Sequence, residues 1–216
     1  MSQERNLYVM ISCTNTGIGK AIRMFSRYTY NHVALTLDPT FRTWVSFARY
    51  IHNAPLFGGF IMEPVERYLV DDEKNPVMVR IFKLDITEKE YLELDKLFSK
   101  AGDLDSKLVY NIFDIIAASI KQKVSISDAY TCLGFARAVL KKDYPDIKSL
   151  DDDLQNYKIF DGKLSNIASD SGDRSDKYFS KLSLIQGTKH TVKQIVILTS
   201  RVVNKDRDDS LSNHIN

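Results

Sequence analysis

The order of secondary-structure patterns along the chain is the feature that most restricts its fold. Short runs rich in β-branched and aromatic residues occupy the first part of the sequence, as is typical of strands. These predicted strands are Leu7–Ser12, Asn31–Leu37, Thr43–Ala48, Gly58–Met62 and Val77–Leu84. The turn residues Asp38-Pro39 separate the second run from the third, which predicts a hairpin.

Helical patterns follow the strands. Thr87 and Glu90 have the spacing of a capping box, which predicts a helix beginning after Thr87. A mostly buried helix is predicted over Asp105–Ile120, and a third is predicted from a cap at Ser127 or Asp128 to about Lys141. The apolar run Ile195–Leu198 suits a strand better than a helix. Together with a short helix predicted over Gly17–Arg27, between the first two strands, these elements are expected to form an α+β fold in which an antiparallel sheet packs against helices.

Length and charge limit the organisation and the partners. The chain has 216 residues, within the usual size of one domain, so we expect a single domain over residues 1–203. Within it we expect a core over about 7–164, an elaboration over 165–203, and a disordered tail over 204–216. The formal net charge is +2, which gives no basic field for nucleic acid.

Apolar segments and cysteines bear on the compartment. The apolar stretch Leu7–Ile11 is too short for a signal-peptide core, and Leu108–Ile120 is too short to span a membrane. Two cysteines, Cys13 and Cys132, are too few for a disulfide scaffold or a cysteine-based zinc site. We therefore expect a cytoplasmic protein with reduced thiols and no integral membrane segment.

Neither a cofactor nor a metal is predicted. The segment Thr16–Lys20 resembles part of a phosphate-binding loop, but Thr14 and Ala21 stand where that motif needs glycine and a hydroxyl residue. The four histidines are scattered and have no nearby acidic cluster, so a metal site is not expected.

His32 and Cys132 are the candidates for chemistry. His32 opens a predicted strand, and Cys132 lies about one turn into a predicted helix, where the helix dipole favours a thiolate. A cysteine hydrolase combines a thiol on a helix with an imidazole on a facing strand. A small cysteine on an apolar helical stripe is, however, more often a core residue, and spacing alone leaves both interpretations open.

Several short motifs together resemble a known group of enzymes. They are Gly17–Arg23, Tyr30–Leu35, Tyr130–Phe135 and Leu154–Leu164. In this order they resemble the circularly permuted, papain-like cysteine hydrolases of the YiiX-like branch, within the NlpC-type cell-wall peptidase superfamily. The permuted branches place the histidine before the cysteine, as His32 and Cys132 are placed here. The resemblance implies a papain-like fold with the nucleophile at a helix N-terminus.

The resemblance also implies roles for individual residues. Cys132 becomes the nucleophile and His32 the general base. Relatives carry a third polar residue on the strand after the histidine strand, and Ser46 is the best match there, with Thr43 as the alternative. Tyr130 is a candidate donor to the oxyanion, although core packing is its more common role. Asn31 is a candidate substrate contact, although local bonding at the start of the strand is the simpler interpretation.

The implied activity is that of a thiol hydrolase or acyltransferase acting on amide or ester bonds through a thioester. The expected substrate is a small peptide or a lipid-like acyl compound, because both occur in the resembled superfamily. The alternative is a papain-like binding module with weak or no catalysis. Ser46 at the third position and the apolar Leu133-Gly134 after the thiol motivate that alternative.

Overall fold

The computed structural model describes residues 4–14, 23–24, 27–52, 57–70, 74–102, 109–110, 129–180, 192 and 195–200. Eight strands in these ranges form one sheet with the order β7-β6-β4-β3-β2-β1-β5-β8. Their bounds are β1 Arg5–Ser12, β2 His32–Thr36, β3 Thr43–Arg49, β4 Gly58–Pro64, β5 Met78–Ile86, β6 Val109–Tyr110, β7 Ala129–Tyr130 and β8 Lys158–Lys163. Neighbouring strands run antiparallel except β6 and β7, which are parallel.

In the described ranges, the helices with complete bounds are α1 Glu66–Leu69, α2 Glu88–Phe98, α3 Cys132–Leu140 and α4 Ile147–Leu154. The prediction of an α+β fold with an antiparallel sheet is confirmed. So are the hairpin of β2 and β3 and the capping box at Thr87, whose hydroxyl accepts the backbone N–H of Glu90.

The sheet has a core on each face because side chains alternate along every strand. The first face carries Val33, Leu35, Val45 and Phe47, and packs against α2, α3 and α4. The second face carries residues such as Ala34 and Trp44, and packs against α1 and the segment around Leu164. Trp44 and Phe47 have 0% and 1% of their surface exposed, so both faces are well covered at β3.

Three sequence predictions about elements differ from the structure. The helix with Cys132 begins at that residue rather than after Ser127 or Asp128, because Thr131 is its N-cap and Ala129–Tyr130 belong to β7. Val109–Tyr110, inside the predicted helix Asp105–Ile120, form β6. Residues 195–200 are helical rather than extended. The rest of the helix predicted over Asp105–Ile120 lies outside the described residues.

Among the helices of the described ranges, none combines the length and apolar character that crossing a membrane requires.

Candidate active site

A histidine and a cysteine that are far apart in sequence meet at one end of the sheet. His32 is the first residue of β2, and Cys132 is the first residue of α3. A hydrogen bond between the Cys132 thiol and the His32 imidazole is among the influences that shift the pKa of each group, so the two side chains adjoin. The fold therefore brings together the two residues that the sequence singles out for chemistry.

The imidazole has a second partner that the sequence analysis did not propose. Nε2 of His32 lies 3.0 Å from Oε1 of Glu63, in β4. The Ser46 hydroxyl, in β3, donates a hydrogen bond to the same carboxylate oxygen. The side chains of His32 and Glu63 are only 12% and 8% exposed. Because Nε2 faces the carboxylate, Nδ1 is the ring nitrogen available to the Cys132 thiol.

The strand that bears His32 pairs only briefly with β3. Their register pair is Leu35 opposite Val45, whereas β3 and β4 pair along the whole of Thr43–Arg49. The backbone N–H groups of Val33, in β2, and Leu133, in α3, are among the hydrogen-bonding influences that lower the pKa of the Cys132 thiol. These main-chain donors favour the thiolate form of Cys132.

The electrostatics of the site favour a thiolate–imidazolium pair. Burial alone would lower the pKa of His32, but the charge of Glu63 and the hydrogen bond with Cys132 raise it well above its usual value. Burial would raise the pKa of Cys132, but the hydrogen bond and the charge of His32 lower it. Burial also opposes ionisation of Glu63, yet the positive charge of His32 keeps its pKa below the ordinary range. The imidazolium and each of its two anionic partners therefore stabilise each other's charged forms.

Ser46 therefore does not occupy the position expected of it. The expected contact was with the imidazole, but Ser46 reaches the site through Glu63, which itself contacts His32. Thr43, the alternative, is opposite Pro64 at the far end of β3. A carboxylate binds and orients an imidazolium more strongly than a hydroxyl does, because the bond is charge-assisted.

A sequence signal for Glu63 was present. The predicted strand ended at Met62, but β4 continues to Pro64. Alternation from Ile61 then turns Glu63 inward, where it is 6% exposed. An acidic residue at an inward-facing position of a strand needs a buried partner.

The two predicted substrate-binding residues have structural contacts. The Asn31 side chain is 3% exposed, and its oxygen accepts both the backbone N–H and the hydroxyl of Thr14 at 2.9 Å. Its Nδ2 donates to the Thr14 carbonyl at 2.9 Å, so the amide ties the end of β1 to the start of β2. The ring of Tyr130 packs on Phe47 with ring centroids 5.3 Å apart.

Tyr130 also lines a cavity of about 730 Å³ between α2, α3 and the first face of the sheet. Its walls are mainly apolar and include Phe47, Phe135, Leu94 and Val139, while Glu90 and Glu93 contribute carboxylates. Cys132, His32 and Glu63 are not among the residues that line it.

Of the remaining candidates, His52 lies among the described residues and the others do not. His52 is engaged with the carbonyl of Tyr178, while His190, His214 and the segment Thr16–Lys20 lie outside the described residues. In the described ranges, no group of three or more acidic, histidine or cysteine side chains is arranged to hold a metal ion.

Comparisons with known proteins found no similarity that assigns a family. No family model matches the chain, and no curated protein and no solved structure matches it either. The geometry of the site is therefore the basis for any functional assignment.

Proposed function

We propose that this protein is a papain-like cysteine hydrolase or acyltransferase of the permuted NlpC type, acting on amide or ester bonds. The single observation that carries the proposal is the linked set of Cys132, His32 and Glu63. A nucleophile bonded to a base, with the base oriented by a third group, is the arrangement that covalent acyl transfer requires. The order of histidine before cysteine agrees with the permuted branches.

The mechanism follows from these contacts. The Cys132 thiolate attacks the carbonyl carbon of the substrate and forms a carbon–sulfur bond, while the carbonyl electron pair moves to oxygen. The backbone N–H of Cys132, at the first position of α3, has no partner within its helix and can donate to this oxyanion. His32 then gives its proton to the leaving amine or alcohol as the thioester forms. Water or another acceptor, deprotonated by His32, releases the acyl group.

The substrate proposed is a small peptide or a lipid-like acyl compound. The apolar cavity beside Tyr130 supports an acyl group with an apolar portion. Both cysteines are free thiols, as a thiolate enzyme requires, which agrees with the proposed cytoplasmic location. No cofactor is part of the proposed reaction.

The first experiment measures the reactivity of Cys132 against that of Cys13, which is also partly buried. In a Cys13→Ser variant, iodoacetamide should alkylate Cys132 rapidly at pH 6–7, and His32→Ala should slow the reaction. In a Cys132→Ser variant, the remaining Cys13 serves as the matched control. If the pH dependence of the alkylation rate gives Cys132 an ordinary thiol pKa of about 8.5, the proposed catalytic pair is rejected.

A second measurement separates an enzyme from the alternative of a binding module. With p-nitrophenyl acetate, an enzyme should form a thioester on Cys132, visible as a mass increase of one acetyl group. The mass increase should be absent from Cys132→Ser and much reduced in His32→Ala. A fast-reacting thiol that forms no thioester would favour a non-catalytic module.

A further inference from the structure

The cavity between α2, α3 and the first face of the sheet has the size of a small-molecule site. Its volume is about 730 Å³, within the range of about 300–1,000 Å³ that is typical of ligand pockets. The most buried residues of its lining, here the floor, are Leu7, Phe47 and Phe135, which are 2%, 1% and 5% exposed. Cys132, His32 and Glu63 do not line it, so occupancy of this cavity does not require contact with the thiol.

The walls above this floor are apolar side chains that the cavity leaves only half-buried. They come from α2, α3 and β5, and all of them pack against the first core of the sheet. They are Leu84, Ile86, Leu94, Leu97, Val139 and Leu140. An apolar chain that enters the cavity removes this recessed surface from water, which is favourable in proportion to the area buried. The walls therefore favour a ligand with a long apolar portion.

The charged residues of the lining, here the rim, determine which end group fits such a ligand. Among the described residues that line the cavity, Asp85, Glu90 and Glu93 carry carboxylates and Lys141 carries an ammonium group. Asp85, Glu93 and Lys141 are exposed. Three carboxylates against one ammonium group make the rim negative, so it is complementary to a cation.

The carboxylates of the rim differ in how far they are already engaged. Oε2 of Glu90 accepts the backbone N–H and the hydroxyl of Thr87, at 2.9 Å and 2.8 Å. Oε1 of Glu93 lies 4.0 Å from Nζ of Lys89, and both of these side chains are exposed, so the pair is weak. Glu93 is therefore more available to a ligand than Glu90 is.

We propose that this cavity is a binding site for an amphipathic cation, a compound with a long apolar chain and a positively charged end group. The chain lies against the floor and the walls, and the end group lies at the rim beside Asp85 and Glu93. The inference does not rest on the proposed function, because binding here needs none of the three candidate catalytic residues. An acyl substrate with a cationic end and a separate ligand share this chemistry, and the last experiment below distinguishes them.

The first test compares end groups and chain lengths by isothermal titration calorimetry on the full chain with Cys132→Ser. Dodecyltrimethylammonium should bind about 3- to 10-fold more tightly than dodecanoate, both below their micelle concentrations, because exposed charges contribute modestly. Octyltrimethylammonium should bind at least about 10-fold more weakly than the dodecyl compound, because it buries fewer methylenes. Equal affinity for the two dodecyl compounds would overturn the inference.

A second test fills the cavity. Ala138 lines it from α3 and is exposed, so Ala138→Trp places an indole in the space and should weaken dodecyltrimethylammonium binding at least about 10-fold. Leu92→Trp is the matched control, since Leu92 is 57% exposed on α2 and does not line the cavity. Unchanged binding in Ala138→Trp would overturn the inference, and thermal unfolding of each variant shows whether the fold is retained.

A third test removes charge from the rim, at exposed positions where a loss of folding is not expected. The double variant Asp85→Asn/Glu93→Gln should weaken dodecyltrimethylammonium binding by about 3- to 10-fold and abolish its advantage over dodecanoate. The control, Asp95→Asn/Asp152→Asn, makes the same change in net charge at exposed carboxylates outside the lining. An equal effect of the two double variants would mean that only the net charge of the protein attracts the cation, which contradicts the inference.

The last experiment identifies the source of the ligand in the parent protein. Dodecyltrimethylammonium that slows acylation of Cys132 by p-nitrophenyl octanoate, but not by p-nitrophenyl acetate, occupies the space of the acyl substrate. Dodecyltrimethylammonium that slows neither reaction is a separate ligand. Both results support the site, since each requires the binding measured above. A protein that binds the cation but forms no thioester rejects the proposed function alone.

Discussion

At the scale of single residues, Glu63 distinguishes a charge-assisted network from a simple thiol–imidazole contact. Glu63→Gln keeps the size of the side chain and removes its charge. The pKa of His32 should then fall by about 1–3 units, because the carboxylate is the charge that raises it. The sign follows from the direction of the shift: a raised histidine pKa returns toward its usual value when the stabilising anion is lost.

The measurement is an NMR titration of the His32 ring, with Ser46→Ala as the comparison. Ser46 donates to Glu63 but carries no charge, so its removal should move the pKa of His32 less than Glu63→Gln does. A lower pKa for His32 also weakens the thiolate at Cys132. If His32 has the same pKa in Glu63→Gln as in the parent protein, the Glu63 carboxylate is not the charge that raises the pKa of His32.

Residue identity could be predicted where the role depends on local context, and not where it depends on strand pairing. Cys132 and His32 are identified by the motifs around them. Glu63 lies 31 positions after His32 in the sequence. The contact between the two side chains depends on the strand order, because β3 lies between β2, which bears His32, and β4, which bears Glu63. Ser46 was proposed because it is on the next strand in sequence, but the imidazole reaches past β3 to β4.

At the scale of elements, the beginning of α3 positions the nucleophile. The Thr131 hydroxyl accepts the backbone N–H of Gly134 at 3.0 Å, which fixes Cys132 as the first helical residue. Thr131→Ala should lower the free energy of unfolding by about 1 kcal/mol, as loss of a cap does. It should also slow alkylation of Cys132 at pH 6, because the first-turn amides near the sulfur lose their fixed orientation.

Thr87→Ala is the matched control for this prediction. Thr87 caps α2 through the backbone N–H of Glu90, far from the thiol. Urea unfolding should show a similar loss of about 1 kcal/mol, whereas the alkylation rate of Cys132 should stay that of the parent protein. If both variants slowed alkylation equally, general destabilisation rather than the α3 cap would explain the effect.

Helices and strands could be predicted from the sequence where the pattern that forms them is long and does not depend on pairing with a distant segment. The strands β1 to β5 are five or more residues long and rich in strand-forming residues, and α2 has a capping box, so each was found within a few residues of its bounds. Short elements such as β6 and β7 have two residues each and exist only because they pair with each other and with β4. Their sequences cannot specify such pairing, and the neighbouring helix boundary was misplaced for the same reason.

At the scale of the whole molecule, a buried ionic network joins the helical layer to the sheet. Asp151 in α4 is 1% exposed and accepts hydrogen bonds from Arg80 in β5 and from the hydroxyl of Tyr28, ahead of β2. Gln155 donates to the other Asp151 oxygen at 2.6 Å. The network therefore ties α4 to β5, the strand next to the edge strand β8, and to the segment that leads into His32.

Replacing Asp151 tests how much of the molecule depends on this network. Asp151→Ala leaves Arg80 without its buried partner, and breaking a buried pair in this way costs about 3–5 kcal/mol. That is a large part of the roughly 5–15 kcal/mol by which a native domain is stable. Arg80 retains Asp161, 2.8 Å away on β8, so the loss should fall toward the lower end of the range.

Asp152→Ala provides the comparison on the same helix. Asp152 is 60% exposed and pairs with Lys148 across one turn, so its loss should change the free energy of unfolding by less than about 1 kcal/mol. Urea unfolding of both variants measures the difference. Equal losses would mean that Asp151 acts as a surface charge and that packing alone holds α4 to the sheet. A large loss for Asp151→Ala alone would show that the network holds the helical layer and the strand bearing His32 in one cooperative unit.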